Sequence, residues 1–267
     1  MTIDFWLEFS ILFVASLLGS AAVLPYALRL LKGSGKPLRM STSMLVLVSI
    51  IQSAVIFAVV TVLGLLAAHA IGLGAPYIDA MIAGSTPAAS LASMLEIAII
   101  FGALGGAVLL LADLLFLPYW PEALVETARK TTLSENFLAS FYGGINEEIL
   151  FRLFGLSALV WLLSLVWHTS AGAPASAVFW IVNVGLAILF GIGHLPALKN
   201  LLGGMPRLMI ARSLLLNFPI AIICGWLFWT YGIEAAIIAH FSADIIYHVF
   251  GTIVLRRKLA AQGKIPA

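Results

Sequence analysis

The chain has 267 residues, of which 62% are hydrophobic and only 10% are charged, with a formal net charge of +2. A soluble domain carries about 25% charged residues, so the polar residues here are too few to cover a water-soluble body and the composition predicts a membrane protein. Nothing in the charge pattern indicates a nucleic-acid partner, and the single cysteine, Cys224, excludes an internal disulfide and a cysteine-rich metal site.

Seven segments are apolar and long enough to cross a bilayer, for which a helix needs about 20 mostly apolar residues. In chain order, we predict spanning helices over residues 9–28, 43–71, 91–117, 137–167, 175–195, 213–231 and 233–255. Each span must be helical, because a segment in lipid has to satisfy its own backbone hydrogen bonds. The predicted fold class is therefore all-α, a polytopic membrane bundle of about seven helices.

The segments between the spans have the composition of loops or of surface helices. Glycine and proline mark breaks at residues 33–37, 72–87 and 171–174. Residues 121–135 mix charged side chains with apolar ones such as Leu124, which predicts a short helix on the membrane surface. No positively charged region precedes the first span, so we expect an uncleaved helix there and not a signal peptide.

The basic residues are distributed unevenly along the chain. Thirteen of the 14 lysines and arginines, Lys36 and Arg39 among them, follow spans one, three, five and seven. They therefore share one side of the membrane if there are seven spans, and only Arg152 lies inside a span. Because cytoplasmic loops are enriched in Lys and Arg, we predict a multi-pass plasma (inner) membrane protein with its N-terminus outside and its C-terminus in the cytoplasm.

The predicted fourth span contains three ionisable side chains that lipid disfavours. Glu147, Glu148 and Arg152 occur in one short stretch, and each costs about 2.5 kcal/mol or more in the bilayer unless it is paired or hydrated. Residues four apart share a helix face, whereas adjacent residues point about 100° apart. Glu148 and Arg152 are therefore expected to form an ion pair, and Glu147 needs a different partner. The alternative interpretation is a salt-bridge cluster that locks helices together.

Spans five and seven contribute histidines at the same spacing of four. His194 follows Phe190, and His240, Asp244 and His248 recur on one stripe of span seven. A carboxylate on such a stripe can orient a histidine by accepting its ring proton. A polar seam that only holds helices together is the alternative interpretation.

The predicted spans do not by themselves bring these residues together. His194 sits at the end of its span, whereas His240 lies nearer the opposite end of its own. A closed site therefore requires span five to continue past Pro196, or span seven to be tilted or shifted.

A few ionisable residues lie outside these motifs. Glu96 and Asp113, in span three, are candidates for helix packing or for a second polar path. His69 and His168 lie near predicted span ends, and we expect no role for either.

The polar motifs of the last four spans are similar to those of a known family. In order, and each on its own hydrophobic segment, they resemble the three motifs of the CPBP family, which comprises the CAAX proteases and bacteriocin-processing enzymes, also called Abi proteins. The motifs are Glu147-Glu148-x-x-x-Arg152, Phe190-x-x-x-His194 and His240-x-x-x-Asp244. The resemblance implies an intramembrane endopeptidase, with N-terminal membrane helices in residues 1–136 and a catalytic membrane core in residues 137–267 of one integrated domain.

The resemblance also implies roles for these residues. Glu147 would be the general base that activates water, assisted by His194, while His240 and Asp244 would stabilise the oxyanion or orient the substrate. Because an ionised aspartate repels an oxyanion, we expect Asp244 to orient His240 or to be protonated. The expected supporting residues are Glu148, Arg152, Phe190 and His248.

Some expectations remain open at this point. We favour a metal-free glutamate mechanism, although Glu147, His194 and His240 are also a possible zinc-ligand set. The expected partners are a membrane-associated peptide or protein substrate and the lipid bilayer, and the short loops favour a prokaryotic source. Two other functions stay open: a non-catalytic Abi-like membrane scaffold or immunity protein, and a proton- or ion-coupled transporter, since buried carboxylates and histidines also form proton relays.

Overall fold

The computed structural model describes residues 2–33 and 40–266, and within these residues all regular elements are helical. The α-helices are α1 (Ile3–Gly33), α2 (Thr42–Ala70), α3 (Pro76–Ala83), α4 (Leu91–Phe116), α5 (Glu122–Lys130), α6 (Leu133–Phe141), α7 (Ser157–Ser164), α8 (Ser176–Gly193), α9 (Leu195–Leu202), α10 (Arg207–Tyr231), α11 (Ile233–Asp244) and α12 (Gly251–Ala261). A 3₁₀ turn follows α4 at Leu117–Tyr119, and π-helical segments occupy Tyr142–Glu147, Ile149–Leu156 and Ile245–Phe250.

Six helices of the described residues are long and apolar enough to cross a membrane. They are Ile3–Lys32, Thr42–Ala70, Leu91–Tyr119, Ser176–Leu202, Arg207–Tyr231 and Ile233–Ala261. The predicted fourth span lies largely in a stretch, residues 133–164, that is helical throughout, but its three charged residues make it too polar to be counted by composition. The predicted all-α polytopic bundle is confirmed, whereas the count of seven spans is not and stays a prediction.

Two of the predicted connections were wrong in detail. The loop predicted at residues 72–87 contains α3, whose first turn is held by Glu234, because Oε1 accepts hydrogen bonds of 2.9 Å from the backbone N–H groups of both Tyr77 and Ile78. The single helix predicted at residues 121–135 is two helices, since Thr132 and Glu135 form a capping box that starts α6. Both helix starts depend on polar side chains, Glu234 in one case and the Thr132–Glu135 pair in the other. A prediction based on apolar segments therefore misses them.

The predicted break at residues 33–37 falls mostly outside the described part of the chain. Residues 34–39, which include Lys36 and Arg39, are not among the described residues.

Apart from Arg152, the described basic residues gather towards one end of the bundle, which we call the basic end. Arg29, near the C-terminus of α1, pairs with Glu135 at 2.7 Å, and Arg256 of α12 donates to the Ala128 carbonyl of α5 at 2.7 Å. Helix α5 lies across this end with its apolar residue Val125 buried among residues of α10 and α12. A short amphipathic helix thus packs against α10 and α12 at the basic end.

Helices α4 and α11 approach each other through small residues. A Cβ atom added at Gly102 would overlap the Ala239 carbonyl oxygen, and one at Gly106 would lie 2.5 Å from the carbonyl oxygen of Ala243. Small residues four apart let two membrane helices pack backbone to backbone. This contact fixes the position of α11, which carries His240 and Asp244.

We expect Gly102→Val to destabilise the protein by about 1–3 kcal/mol, the usual cost of forcing extra atoms into a packed contact. Thermal unfolding of the purified protein in detergent measures this loss. Gly185→Ala in α8 is the matched control, because no heavy atom lies within 4 Å of its added Cβ. Equal unfolding temperatures for the wild type and both variants would contradict the close contact of α4 with α11.

Candidate active site

Three helical stretches bring the predicted site residues together. Glu147 ends the π-helical segment Tyr142–Glu147, His194 lies at the junction of α8 and α9, and His240 and Asp244 lie on α11. The junction explains how the site closes. The apolar helix continues through Pro196 to Leu202. Span five therefore runs past the proline, which is one of the two ways in which the sequence allowed the site to close.

The carboxylate of Glu147 lies between two imidazole rings. Its Oε1 is 3.8 Å from Nε2 of His194, and its Oε2 is 4.0 Å from Nε2 of His240. Both distances exceed that of a direct hydrogen bond and are of the kind that one small polar molecule can bridge. The Glu147 side chain is 22% exposed, so it can be reached from the adjoining cavity.

The two histidines are held by their other ring nitrogens. Nδ1 of His194 lies 2.8 Å from the carbonyl oxygen of Phe190. A carbonyl can only accept, so Nδ1 carries the proton and Nε2 is left for Glu147. Nδ1 of His240 lies 2.6 Å from Oε1 of Glu148, which likewise turns its Nε2 towards Glu147. Both rings therefore present the same atom to the same carboxylate.

Glu148 is the buried centre of the polar network. Oε1 also accepts a 2.8 Å hydrogen bond from Arg152 Nη1, the pair expected from their spacing. The guanidinium in turn donates from Nη2 to the carbonyl of Ala221 at 2.8 Å and stands 5.2 Å from the Phe190 ring centre. Because Glu148 holds Nδ1 of His240, it takes the orienting position that the sequence suggested for Asp244.

Asp244 instead lies on the Nε2 side of His240 and His248. Its Oδ1 lies 3.8 Å from Nε2 of His240 and 3.8 Å from Nε2 of His248. A Cβ on Gly143 would be only 2.5 Å from the other carboxylate oxygen, so this glycine makes room for the aspartate. His248 is the most exposed of the group, with half of its side chain accessible.

Phe190 forms an apolar wall behind the histidines. Its ring centre is 4.8 Å from that of His194 and 5.9 Å from that of His240, both in edge-on arrangements. Phe151 packs on it at 5.0 Å. Burial of Phe190 at 2% exposure shields the back of the site, where the Glu148–Arg152 pair lies.

One cavity of about 400 Å³ is lined by Glu147, His194, His240, Asp244 and His248. Its wall includes Tyr26 and Leu30 of α1 and Leu201 of α9, near the basic end, so it extends from Glu147 towards that end. This volume falls within the range of about 300–1,000 Å³ found for ligand sites.

A second polar cluster borders the same cavity and was only partly visible in the sequence. Arg212 binds both carboxylate oxygens of Asp113, at 2.6 and 2.7 Å, and the hydroxyl of Tyr247 donates to Asp113 at 2.7 Å. Asp113 was noted as a candidate, but Arg212 and Tyr247 come from two other helices and share no spacing with it. Glu96, the other candidate of span three, is exposed and does not line the cavity.

The metal-ligating potential of the site differs from the predicted zinc set. Among the described residues, the donor atoms of Glu148, Cys224 and His240 all lie within 4.8 Å of one another, whereas Glu147, His194 and His240 do not form such a group. In the first set the carboxylate is already bonded to the imidazole and to Arg152. In the predicted set, the Nε2 atoms of His194 and His240 both face the Glu147 carboxylate. The three side chains would have to move closer together to bind one ion.

Comparison with known proteins places this arrangement in a family. Residues 130–246 match the model of the type II CAAX prenyl endopeptidase Rce1-like family, a range that contains all three polar motifs and ends before His248. No curated protein matches the chain, and no solved structure does. The protein is thus a multi-pass membrane protein, and its residues 130–246 match a family of CAAX-type membrane endopeptidases, in agreement with the resemblance to the CPBP family.

Proposed function

We propose that the protein is an intramembrane endopeptidase in which Glu147 activates a water molecule to cleave a membrane-associated peptide or protein. The observation that carries this proposal is the position of the Glu147 carboxylate, 3.8 and 4.0 Å from the Nε2 atoms of two histidines at the wall of a cavity. A base for peptide hydrolysis must reach both a water molecule and the groups that handle its protons.

In the proposed reaction, Glu147 takes one proton from water while the water oxygen attacks the scissile carbonyl carbon. His194, with its Nδ1 proton committed to Phe190, accepts a hydrogen bond at Nε2 and so holds the water in place. The tetrahedral intermediate then collapses as the C–N bond breaks, and Glu147 returns its proton to the leaving amine. One carboxylate thus serves as base and then as acid.

His240 is the proposed partner of the oxyanion. Glu148 holds its Nδ1 at 2.6 Å, so a second proton would sit on Nε2, pointing at the reaction centre beside Glu147. A single donor to a developing oxyanion contributes about 10²–10³ in rate. Asp244 then serves to keep His240 protonated and in position, since an ionised carboxylate cannot itself bind the oxyanion.

Membrane-associated peptides are the proposed substrate class. The cavity is lined by apolar residues such as Leu30 and Leu201 as well as by the site residues, which suits an extended peptide in a lipid environment. The family description names prenyl endopeptidases, and both prenylated and unprenylated peptides fit this proposal. Direct cleavage assays on each decide between them.

We further propose that the basic end faces the cytoplasm of a prokaryotic cell, with the C-terminus on that side of the plasma membrane. Support comes from the gathering of Arg29 and Arg256, among others, at one end, since cytoplasmic loops are enriched in such residues. The cavity would then receive substrates from the cytoplasmic side.

Glu147→Gln should lower cleavage by about 10²–10⁴, the contribution typical of a general base. Membranes and secreted peptides from cells that express the wild type or the variant are compared by mass spectrometry, and uncut precursors should accumulate in the variant. Glu96→Gln is the control, because it removes an exposed glutamate outside the cavity. Normal processing by the Glu147 variant would instead favour a non-catalytic scaffold.

The neighbouring glutamate should behave differently. Glu148→Ala leaves the buried Arg152 without its partner, which typically costs about 3–5 kcal/mol, so the unfolding temperature should fall sharply. Glu147→Ala removes a partly exposed carboxylate that accepts no direct hydrogen bond from either histidine, and it should unfold near the wild-type temperature. The opposite order of stabilities would overturn the assignment of Glu148 as the structural member of the pair.

The proposed glutamate mechanism also predicts that activity survives brief treatment with a strong chelator. Among the described residues, the donor atoms of Glu147, His194 and His240 do not all lie within 4.8 Å of one another, which supports this expectation, because two donors on one zinc ion lie at most about 4.2 Å apart at bond lengths of about 2.1 Å. Cleavage by purified protein is measured before and after chelation. Loss of activity that returns only when zinc is added back would show that the metal alternative is correct.

A further inference from the structure

Three ionisable side chains meet at the end of the bundle opposite the basic end. Glu8 of α1, His69 of α2 and Asp79 of α3 each offer a donor atom, and these atoms all lie within 4.8 Å of one another. Nε2 of His69 is 3.0 Å from Oε2 of Glu8. The histidine is backed by Gly74, where an added Cβ would lie 3.2 Å from the ring, so its position leaves little freedom.

Glu8 is buried and its oxygens are not satisfied by hydrogen bonds. Only 1% of the residue is exposed, and within the described part of the chain neither carboxylate oxygen accepts a hydrogen bond. Oε2 has an ion-pair partner in the His69 imidazole when that ring is protonated, whereas no such partner is found for Oε1 among the described residues. A buried ionised carboxylate in this condition is strongly disfavoured, and both oxygens are on the side of the molecule where His69 and Asp79 converge.

This end of the protein carries an excess of negative charge, and we call it the acidic end. The carboxylates of Asp4 and Glu234 lie close enough to Asp79 to interact with it electrostatically. The described lysines and arginines offer no compensation, because they lie at the basic end or, as Arg152, are bound to Glu148. A cation from solution is the remaining source of positive charge besides a protonated His69.

We propose that Glu8, His69 and Asp79 bind a divalent transition-metal ion, of which zinc is the test case. One imidazole nitrogen and two carboxylates form a donor set that zinc accepts. Donors on one such ion lie at most about 4.2 Å apart for bonds of about 2.1 Å, so only small side-chain rotations are needed. An ion here would give the buried Glu8 carboxylate a positive partner besides the His69 imidazole, which lies 3.0 Å from Oε2.

The ion would join α1, α2 and α3, and α3 is in turn hydrogen-bonded to the start of α11, the helix of His240. Helix α3 carries Asp79 and is bound at its N-terminus by Glu234, while the Ile233 N–H donates to the Gly74 carbonyl at 3.0 Å. Glu234 and Ile233 begin α11, the helix of His240. A metal at the acidic end therefore ties α1 and α2, through α3, to the helix that carries the active site.

The test is zinc binding by the full-length protein, purified in detergent and stripped of metal. Isothermal titration with zinc chloride should show one equivalent that disappears, or binds at least tenfold more weakly, in His69→Ala and in Asp79→Asn. Asp79 is exposed, so its conservative replacement keeps the fold even where His69→Ala does not. His168→Ala, which removes an exposed histidine elsewhere, should retain this equivalent.

A second variant separates this site from the active site. Glu147→Gln should keep the equivalent assigned to Glu8, His69 and Asp79, and zinc should raise the unfolding temperature of the wild type but not that of Asp79→Asn. Binding that is unchanged in both His69→Ala and Asp79→Asn would overturn the proposal. Loss of the equivalent in Glu147→Gln alone would overturn it as well, because the ion would then belong to the active site.

Discussion

The site depends on one buried carboxylate that serves two helices. Oε1 of Glu148 binds Arg152 at 2.8 Å within its own helical stretch and Nδ1 of His240 at 2.6 Å on α11. The arginine is almost fully buried and Glu148 is completely so, so neither charge could remain without the other. Because the same oxygen holds the imidazole, the energy that keeps this pair together also fixes the direction of the His240 ring.

Helix packing supplies the rest of the geometry. Gly102 and Gly106 bring α4 against the backbone of α11 at Ala239 and Ala243, the residues directly before His240 and Asp244. Gly143 does the same for the Asp244 carboxylate on the other side. The π-helical segments lie at this place too, and such irregular turns are frequent at functional sites.

Two adjacent glutamates can therefore have opposite tasks. Neighbouring residues on a helix point about 100° apart, which turns Glu148 into the core and leaves Glu147 at the cavity wall with 22% of its side chain exposed. Oε1 of the first accepts hydrogen bonds from a guanidinium and an imidazole, while the second has no direct hydrogen bond from either histidine. A proteolytic base needs the second condition, since it must bind and release a proton.

The sequence could predict what periodicity and hydropathy encode. The positions of six spans, the Glu148–Arg152 pair and the family followed from local spacing and motif order. The capping of α3 by Glu234, the cluster of Asp113 with Arg212 and Tyr247, and the meeting of Glu8 with His69 were not predicted, because their partners are far apart in the chain. His69 was even expected to have no role. The continuation of α8 through Pro196 was recognised only as a requirement, since proline at the start of a helical turn does not stop it.

The most direct measurement is an experimental high-resolution map of the Glu147→Gln variant with a bound peptide substrate in a lipid environment. The proposed mechanism predicts that the scissile carbonyl lies beside residue 147, with its oxygen directed at Nε2 of His240 and a water held near Nε2 of His194. A map in which residue 147 turns away from both rings, or in which the peptide binds outside this cavity, would contradict it.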